Sequence, residues 1–234
     1  MVAAAVLAGG KGTRMGGALP KQFLEIGEMP VIIRSIKAFV NSPEVDIVIV
    51  SVSAEYKSYT AELIKKHIVT DKQILVIEGG ASRGDTLYGV LKFMKERNIL
   101  KDSIVLTHDA VRPFINERII RENINAARKY GACNTCISAV DTIFISSDGK
   151  FISSVPDRST VFHAQTPQSF DAEKLLILIE NTPEEIFQTL TDGCSVFSYH
   201  EEKVAIVEGE TYNIKITYPE DIKRAENIIK ENFC

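Results

Sequence analysis

Apolar residues fall along this chain in two rhythms. Short unbroken runs at residues 2–7, 47–52, 73–77 and 104–107 read as buried strands, the second of them rich in β-branched side chains. Between them, residues 30–40 carry Ile32, Ile33, Ile36, Phe39 and Val40 at helical spacing. Residues 54–67, 85–97 and 116–130 read as further helices, the last with Asn116 placed to cap it. Strand and helix in alternation predict an α/β chain, a mostly parallel sheet with helices on both faces. Ligands bind such sheets at the carboxyl ends of the strands. That singles out the loops after Leu7, Ile77 and Thr107.

The alternation breaks after Val140. Apolar stretches at 142–145 and 151–155 flank Ser146-Ser147-Asp148-Gly149-Lys150, and Asp-Gly between such stretches signals a hairpin. Phe144 and Phe151 leave that hairpin with apolar surface and little core of its own. It reads as an arm that packs on a second subunit, or as an ordinary edge hairpin. Helices are expected again from 171 to about 200, short strands at 204–207 and 214–217, and a closing helix over 219–233 with Pro219 in its first turn. No repeat or linker interrupts the chain, so residues 1–234 read as a single domain with 141–158 as a β-arm.

Composition narrows the classes of function. The chain has 234 residues of which 45% are hydrophobic, enough for a full core without disulfides or metals. A formal net charge of -4 argues against a general nucleic-acid binder. No apolar run approaches the roughly 20 residues of a membrane span, and no charged segment precedes the first apolar run as in a signal peptide. A cytoplasmic enzyme is expected, with no nucleic-acid or membrane partner. Cys133 and Cys136 make one C-x-x-C inside a strand-like run with no second pair; they read as core thiols, with metal or redox work the alternative.

The first loop is the chemically dense stretch: Leu7-Ala8-Gly9-Gly10-Lys11-Gly12-Thr13-Arg14-Met15-Gly16-Gly17-Ala18-Leu19-Pro20-Lys21-Gln22. Glycine lets backbone N–H groups turn toward a ligand, and Lys11, Arg14 and Lys21 add positive charge. Backbone donors plus cations directly after a strand suit a polyphosphate. Met15 stands where a dinucleotide fingerprint needs its third glycine, and Ala5 and Gly12 break the Walker pattern. A plain strand-to-helix turn is the alternative. The second loop, Glu78-Gly79-Gly80-Ala81-Ser82-Arg83-Gly84-Asp85-Thr86, again ends a strand and opens a helix. Arg83 is placed to pair with a phosphate or to fix the loop. In the third, Thr107-His108-Asp109-Ala110-Val111-Arg112-Pro113, an Asp at the carboxyl edge of the sheet is well placed to hold Mg²⁺, or to cap the turn. His108 is assigned no proton transfer.

Taken together, these motifs resemble the cytidylyltransferases that attach CMP to an alditol phosphate. The resemblance runs on through Asp141-Thr142, Pro156-Asp157-Arg158, Gln165-Thr166-Pro167-Gln168, Thr191-Asp192 and Asn213-Ile214-Lys215, essentially the whole chain. It implies a Rossmann-like three-layer nucleotidyltransferase fold with a mostly parallel mixed sheet and a protruding β-hairpin arm, CTP and an alditol phosphate as substrates, and a homodimer through the arm. It implies Arg14, Lys21, Arg158 and Lys215 as catalytic cations, Leu7, Ala8, Gly9, Gly10, Lys11, Gly12 and Thr13 with Gly80, Ala81, Ser82, Arg83, Gly84, Asp85 and Thr86 as the CTP cradle, and Asp109 as the metal ligand. Arg112, Thr166 and Thr191, with Arg158 and Lys215, resemble the groups that hold the alditol phosphate, Arg158 reaching into a neighbouring subunit's site.

One departure divides the family. Its methylerythritol 4-phosphate members carry Asp before N-I-K and Ala before the R-P pair, where this chain has Tyr212 and Val111. That pattern looks more like the ribitol 5-phosphate branch and implies CTP plus D-ribitol 5-phosphate giving CDP-ribitol and pyrophosphate, for teichoic acid or a related polymer. Tyr212 is then expected among the acceptor-binding residues, or else it packs the floor of the site; Glu210 is a possible substitute carboxylate. The rivals are methylerythritol 4-phosphate as acceptor and a non-catalytic nucleotide-sensing module.

Overall fold

A computed structural model describes residues 1–9 and 19–232. Gly10, Lys11, Gly12, Thr13 and Arg14, named above for CTP and catalysis, lie outside the described residues. Among the described residues seven strands form one sheet: β1 (Val2–Ala8), β2 (Ile47–Val52), β3 (Gln73–Glu78), β4 (Ile104–Asp109), β5 (Ala132–Ser138), β6 (Phe162–Asp171) and β7 (Ala205–Glu208), in the order β3-β2-β1-β4-β6-β5-β7. The first four pair in parallel, β6 is antiparallel to both β4 and β5, and β7 is parallel to β5. The sheet is therefore mixed and mostly parallel, as the alternation predicts.

Period-two alternation explains the layers. On β1, Val2, Ala4, Val6 and Ala8 face a core shared with α1 (Val31–Asn41), α2 (Lys57–His67) and α4 (Glu117–Tyr130). Ala3, Ala5 and Leu7 face the opposite core, shared with α3 (Arg83–Glu96), α5 (Ala172–Glu180) and α7 (Gly193–Tyr199). The stretch from 171 to 200 thus holds separate helices, with the short α6 (Glu184–Phe187) between α5 and α7. A third, smaller core gathers Val111, Phe114, Ile214 and Ile216 under α8 (Pro219–Asn232). Cys133 and Cys136 are buried thiols. Burial pushes Cys133 up to about 12, which suits core packing rather than redox chemistry.

Three sequence expectations change. Residues 162–171 form a ten-residue strand that the apolar pattern does not signal. Its polar residues Gln165, Thr166 and Gln168 face inward, and Pro167 sits where the β5–β6 register shifts between Asn134 and Cys136, so its missing N–H leaves no gap in a regular ladder. Residues 214–217 form no strand: Ile216 donates one backbone bond to Val111 (2.9 Å), and otherwise the segment is anchored by side chains. The arm carries a single antiparallel bridge, Ile145 to Ser154, rather than a two-stranded ladder, and its Phe144, Phe151 and Ile152 are exposed.

Candidate active site

Register brings the loops together. Leu7 on β1 lies beside Asp109 at the end of β4, and Val52 lies beside Glu78 at the end of β3. Their carboxyl ends border a cavity of about 280 Å³ lined by Leu7, Ala8, Gly9, Lys21, Gln22, Gly80, Ala81, Ser82, Arg83, Thr86, Asp109, Ala110, Val111 and Lys215. The antiparallel β6 runs back past this edge, so Thr166 and Gln168 stand next to the end of β4.

Asp109 is the hub. Lys215 Nζ lies 2.7 Å from its Oδ2, Arg83 Nε 3.4 Å from its Oδ1 and Arg112 Nε 3.9 Å from its Oδ2. Burial alone pushes the carboxyl pKa up, but Arg83 and then Lys215 and Arg112 outweigh it and hold the group far below the ordinary carboxylate range. Asp109 is an ionised group at neutral pH. Among the described residues no cluster of three or more His, Cys, Asp or Glu side chains could hold a metal ion alone. A lone ionised carboxylate on a cavity wall fits a Mg²⁺ that brings the rest of its oxygen shell from phosphate and water.

Asp109 is held from behind. Its backbone N–H donates to Thr166 Oγ1 (3.1 Å), and Thr166 Oγ1 meets His108 Nδ1 (3.0 Å). His108 Nε2 lies 2.9 Å from the Arg112 carbonyl, which can only accept, so Nε2 carries the proton and Nδ1 accepts from the threonine hydroxyl. Burial pushes the imidazole pKa down to about 4 and keeps it neutral. The relay fixes both ends of the 109–112 turn. Thr166 is therefore committed to Asp109 and His108 and is absent from the cavity wall, in place of the acceptor contact expected for it.

The glycine-rich second loop is built by its own side chains. Ser82 Oγ accepts from Asp85 N (3.0 Å) and Asp85 Oδ2 accepts from Ser82 N (3.1 Å), a capping box at the start of α3. Gly80 N donates to Thr86 Oγ1 (3.1 Å), and a Cβ on Gly80 would lie 2.7 Å from the Asp85 carbonyl carbon, so only glycine fits this fold of the loop. Asp85 and Gly84 do not line the cavity: the first is held in the capping box and the second packs against Phe187. On the opposite wall Gln22 Nε2 donates to the Ala8 carbonyl (3.0 Å), which ties the Lys21–Phe23 turn to the end of β1 and sets Lys21 at the cavity.

Lys215 also borders a second cavity of about 280 Å³, lined by Arg112, His163, Gln165, Asn213, Asp221 and Arg224 among others. Arg112 donates to the carbonyls of Asn213 (2.8 Å) and Ala164 (3.3 Å). The Asn213 amide donates to the Gln165 side chain and the Thr166 carbonyl, which pins the Asn-Ile-Lys segment beside β6. Three expected residues lie elsewhere. Tyr212 lines neither cavity; its ring packs against the third core, and its hydroxyl accepts from Asn116 Nδ2 at 2.7 Å. Glu210 pairs with Arg118 at 2.8 Å, away from Asp109. Arg158 is exposed at the base of the arm and donates to the Val140 carbonyl (3.1 Å). Thr191 offers Arg83 its carbonyl (3.3 Å) from just outside the first cavity.

Sequence reasoning missed the work of His108, Gln22 and Gln168. The signal was there in His108 and Gln168: polar side chains set inside or next to apolar strand segments need partners, and their partners here are the loops of the site.

A family described as IspD: 2-C-methyl-D-erythritol 4-phosphate cytidylyltransferase matches residues 2–231. Among solved structures, the 4-diphosphocytidyl-2C-methyl-D-erythritol synthase of Anaerococcus prevotii DSM 20548 matches with a TM-score of 0.82 and 28% identity, over 98% of this chain and 96% of that one. The 2-C-methyl-D-erythritol 4-phosphate cytidylyltransferase of Thermus thermophilus matches with a TM-score of 0.74 and 24% identity, over 98% and 100%. That of Francisella tularensis gives 0.77 and 22%, over 96% and 97%. The last two similarities speak for the fold alone.

Proposed function

This chain belongs to the IspD family of cytidylyltransferases, and from that premise we propose that it transfers the cytidylyl group of CTP to D-ribitol 5-phosphate, releasing pyrophosphate and giving CDP-ribitol. The observation that carries the chemistry is the convergence of Lys21, Arg83 and Lys215 on one cavity around the ionised Asp109. A phosphate oxygen of the acceptor attacks the α-phosphorus of CTP in line. With a second pKa of about 6 that phosphate is already largely ionised at neutral pH, so no general base is needed. His108, neutral and with both ring nitrogens engaged, is not one.

The obstacle is repulsion between two polyanions. Each like-charge pair about 4 Å apart costs about 4 kcal/mol at an effective dielectric near 20. Lys21, Arg83 and Lys215 offset this charge, and Arg14 joins them in the proposal from its place in the first loop. Asp109 is the residue that would hold Mg²⁺, which when bound supplies further charge neutralisation on the triphosphate. The second cavity, which shares Lys215 with the first, takes the acceptor, with Arg112 and Asn213 on its wall.

The ribitol branch is supported by Val111 and by the Tyr212-Asn213-Ile214-Lys215 sequence. Tyr212, half-buried against the third core and on the wall of neither cavity, leaves selectivity to the lining of the second cavity. Methylerythritol 4-phosphate is the second reading, favoured by the name of the family and of its solved members. We further propose one nucleotidyltransferase unit over residues 1–234, a homodimer through the 141–158 arm that brings Arg158 to the partner's site, and a cytoplasmic location. Among the described residues no helix is long and apolar enough to cross a membrane.

Pyrophosphate release over CTP, UTP, ATP and GTP with ribitol 5-phosphate tests the reaction. Release with CTP well above the other three is expected. Nucleotide binding without release would instead fit a sensing module, and release with another nucleotide would remove CTP.

A further inference from the structure

Arg83 is held on three sides, and only one of them is the carboxylate of the hub. Nε meets Asp109, Nη1 donates to the Thr191 carbonyl at 3.3 Å, and Nη2 donates to Gln168 Oε1 at 3.4 Å. The third contact has a fixed polarity. Gln168 Nε2 donates to Asp192 Oδ2 at 2.6 Å, so its carbonyl oxygen must face the guanidinium. Asp192 in turn cannot rotate, because its Oδ1 accepts from the backbone N and the hydroxyl of Ser195, both at 2.8 Å, as the N-cap of α7. The Gln168 backbone is also anchored, its carbonyl accepting from Thr107 Oγ1 at 3.2 Å. Gln168 is almost completely buried, so no competing water reaches the amide.

We propose that Gln168 and Asp192 are positioning residues that set the Arg83 guanidinium for the phosphates of the nucleotide. This rests on the reading of the first cavity as the CTP site. The chain of contacts from Ser195 through Asp192 and Gln168 leaves Arg83 one orientation, with its remaining donor capacity turned to the cavity. An arginine on the first turn of a helix otherwise samples many rotamers, and ordering it on binding weakens binding.

The test is a double-mutant cycle on the full chain. Gln168→Met keeps the length of the side chain and removes both polar contacts. It is expected to raise KM for CTP about tenfold, the scale of one hydrogen bond to a charged group, and to leave KM for the acceptor within about twofold. In an Arg83→Met background the same change is expected to alter KM for CTP less than about twofold, because its target is gone. Asp192→Asn gives a second variant that preserves the helix cap. Its Oδ1 still accepts from Ser195, so its NH₂ faces Gln168 and forces that amide to flip, presenting NH₂ to Arg83. KM for CTP is expected to rise as in Gln168→Met, with the thermal midpoint within a few degrees of wild type. Multiplying effects of Gln168→Met and Arg83→Met, or parallel rises in both KM values, in a protein that turns CTP over would overturn this inference alone. A wild-type protein that neither binds nor turns over CTP would overturn the reading of the site itself.

Discussion

Replacing Asp109 by Asn keeps the shape of the hub and removes its charge. Arg83, Arg112 and Lys215 then converge without a carboxylate between them. Removing one partner of a buried ion pair costs about 3–5 kcal/mol. Here the Lys215 and Arg83 side chains stay 41% and 29% exposed, so water recovers part of that. We expect a loss of about 2–3 kcal/mol, which at a urea dependence of about 2–3 kcal/mol per M lowers the unfolding midpoint by about 1 M at pH 7. The pH dependence has a defined sign. The folded pKa of Asp109 is depressed below the unfolded value of about 3.9, so its contribution is complete above about pH 5 and shrinks as pH falls below that. Urea titrations of both proteins at several pH values from 7 down to 3 measure the gap. Equal midpoints at pH 7, or a gap that does not narrow toward pH 3, would refute the assignment of Asp109 as a charge hub. The variant is also expected to lose most of its turnover.

Thr166→Val removes the acceptor for the Asp109 N–H and the donor to His108, and we expect a stability loss of about 1–3 kcal/mol with a fall in kcat, both restored by Thr166→Ser; equal kinetics in the Val and Ser variants would show that the hydroxyl positions nothing. Phe144→Ser with Phe151→Ser is expected to convert a dimer into monomers of low activity, read by sedimentation, and a monomeric wild type would end the arm proposal. Tyr212→Phe loses the bond to Asn116 and about 1 kcal/mol of stability while leaving acceptor preference unchanged; a shifted preference would return Tyr212 to the site.

The layers were legible because one physical rule wrote them. Uninterrupted apolar runs became β1, β2, β3 and β4, and residues just after β1 (Gly9), β3 (Gly80) and β4 (Ala110) line the cavity. Asp109 was legible as a charge at such an end and Lys215 through the family resemblance, and the structure puts them 2.7 Å apart. The strand β6 was not, because its inward face is polar for reasons of the site rather than the core: Thr166 serves Asp109 and Gln168 serves Arg83. The 214–217 segment shows the converse. Ile214 and Ile216 alternate as in a strand, yet they pack under α8 with one backbone bond to Val111, since alternation reports a buried face and not a ladder partner. Tyr212 misled for a similar reason, as adjacency to the Asn-Ile-Lys segment says nothing about the face to which its ring turns. The arm has the pattern of paired strands but only the Ile145–Ser154 bridge, since alternating apolar residues around an Asp-Gly turn do not by themselves set a ladder.

The central claim is cytidylyl transfer to a particular alditol phosphate. Its most direct test is kcat/KM for ribitol 5-phosphate and for methylerythritol 4-phosphate, measured side by side with CTP and Mg²⁺. We predict that ribitol 5-phosphate is favoured by at least about 10²-fold, a few kcal/mol of transition-state difference. A preference for methylerythritol 4-phosphate would contradict the account.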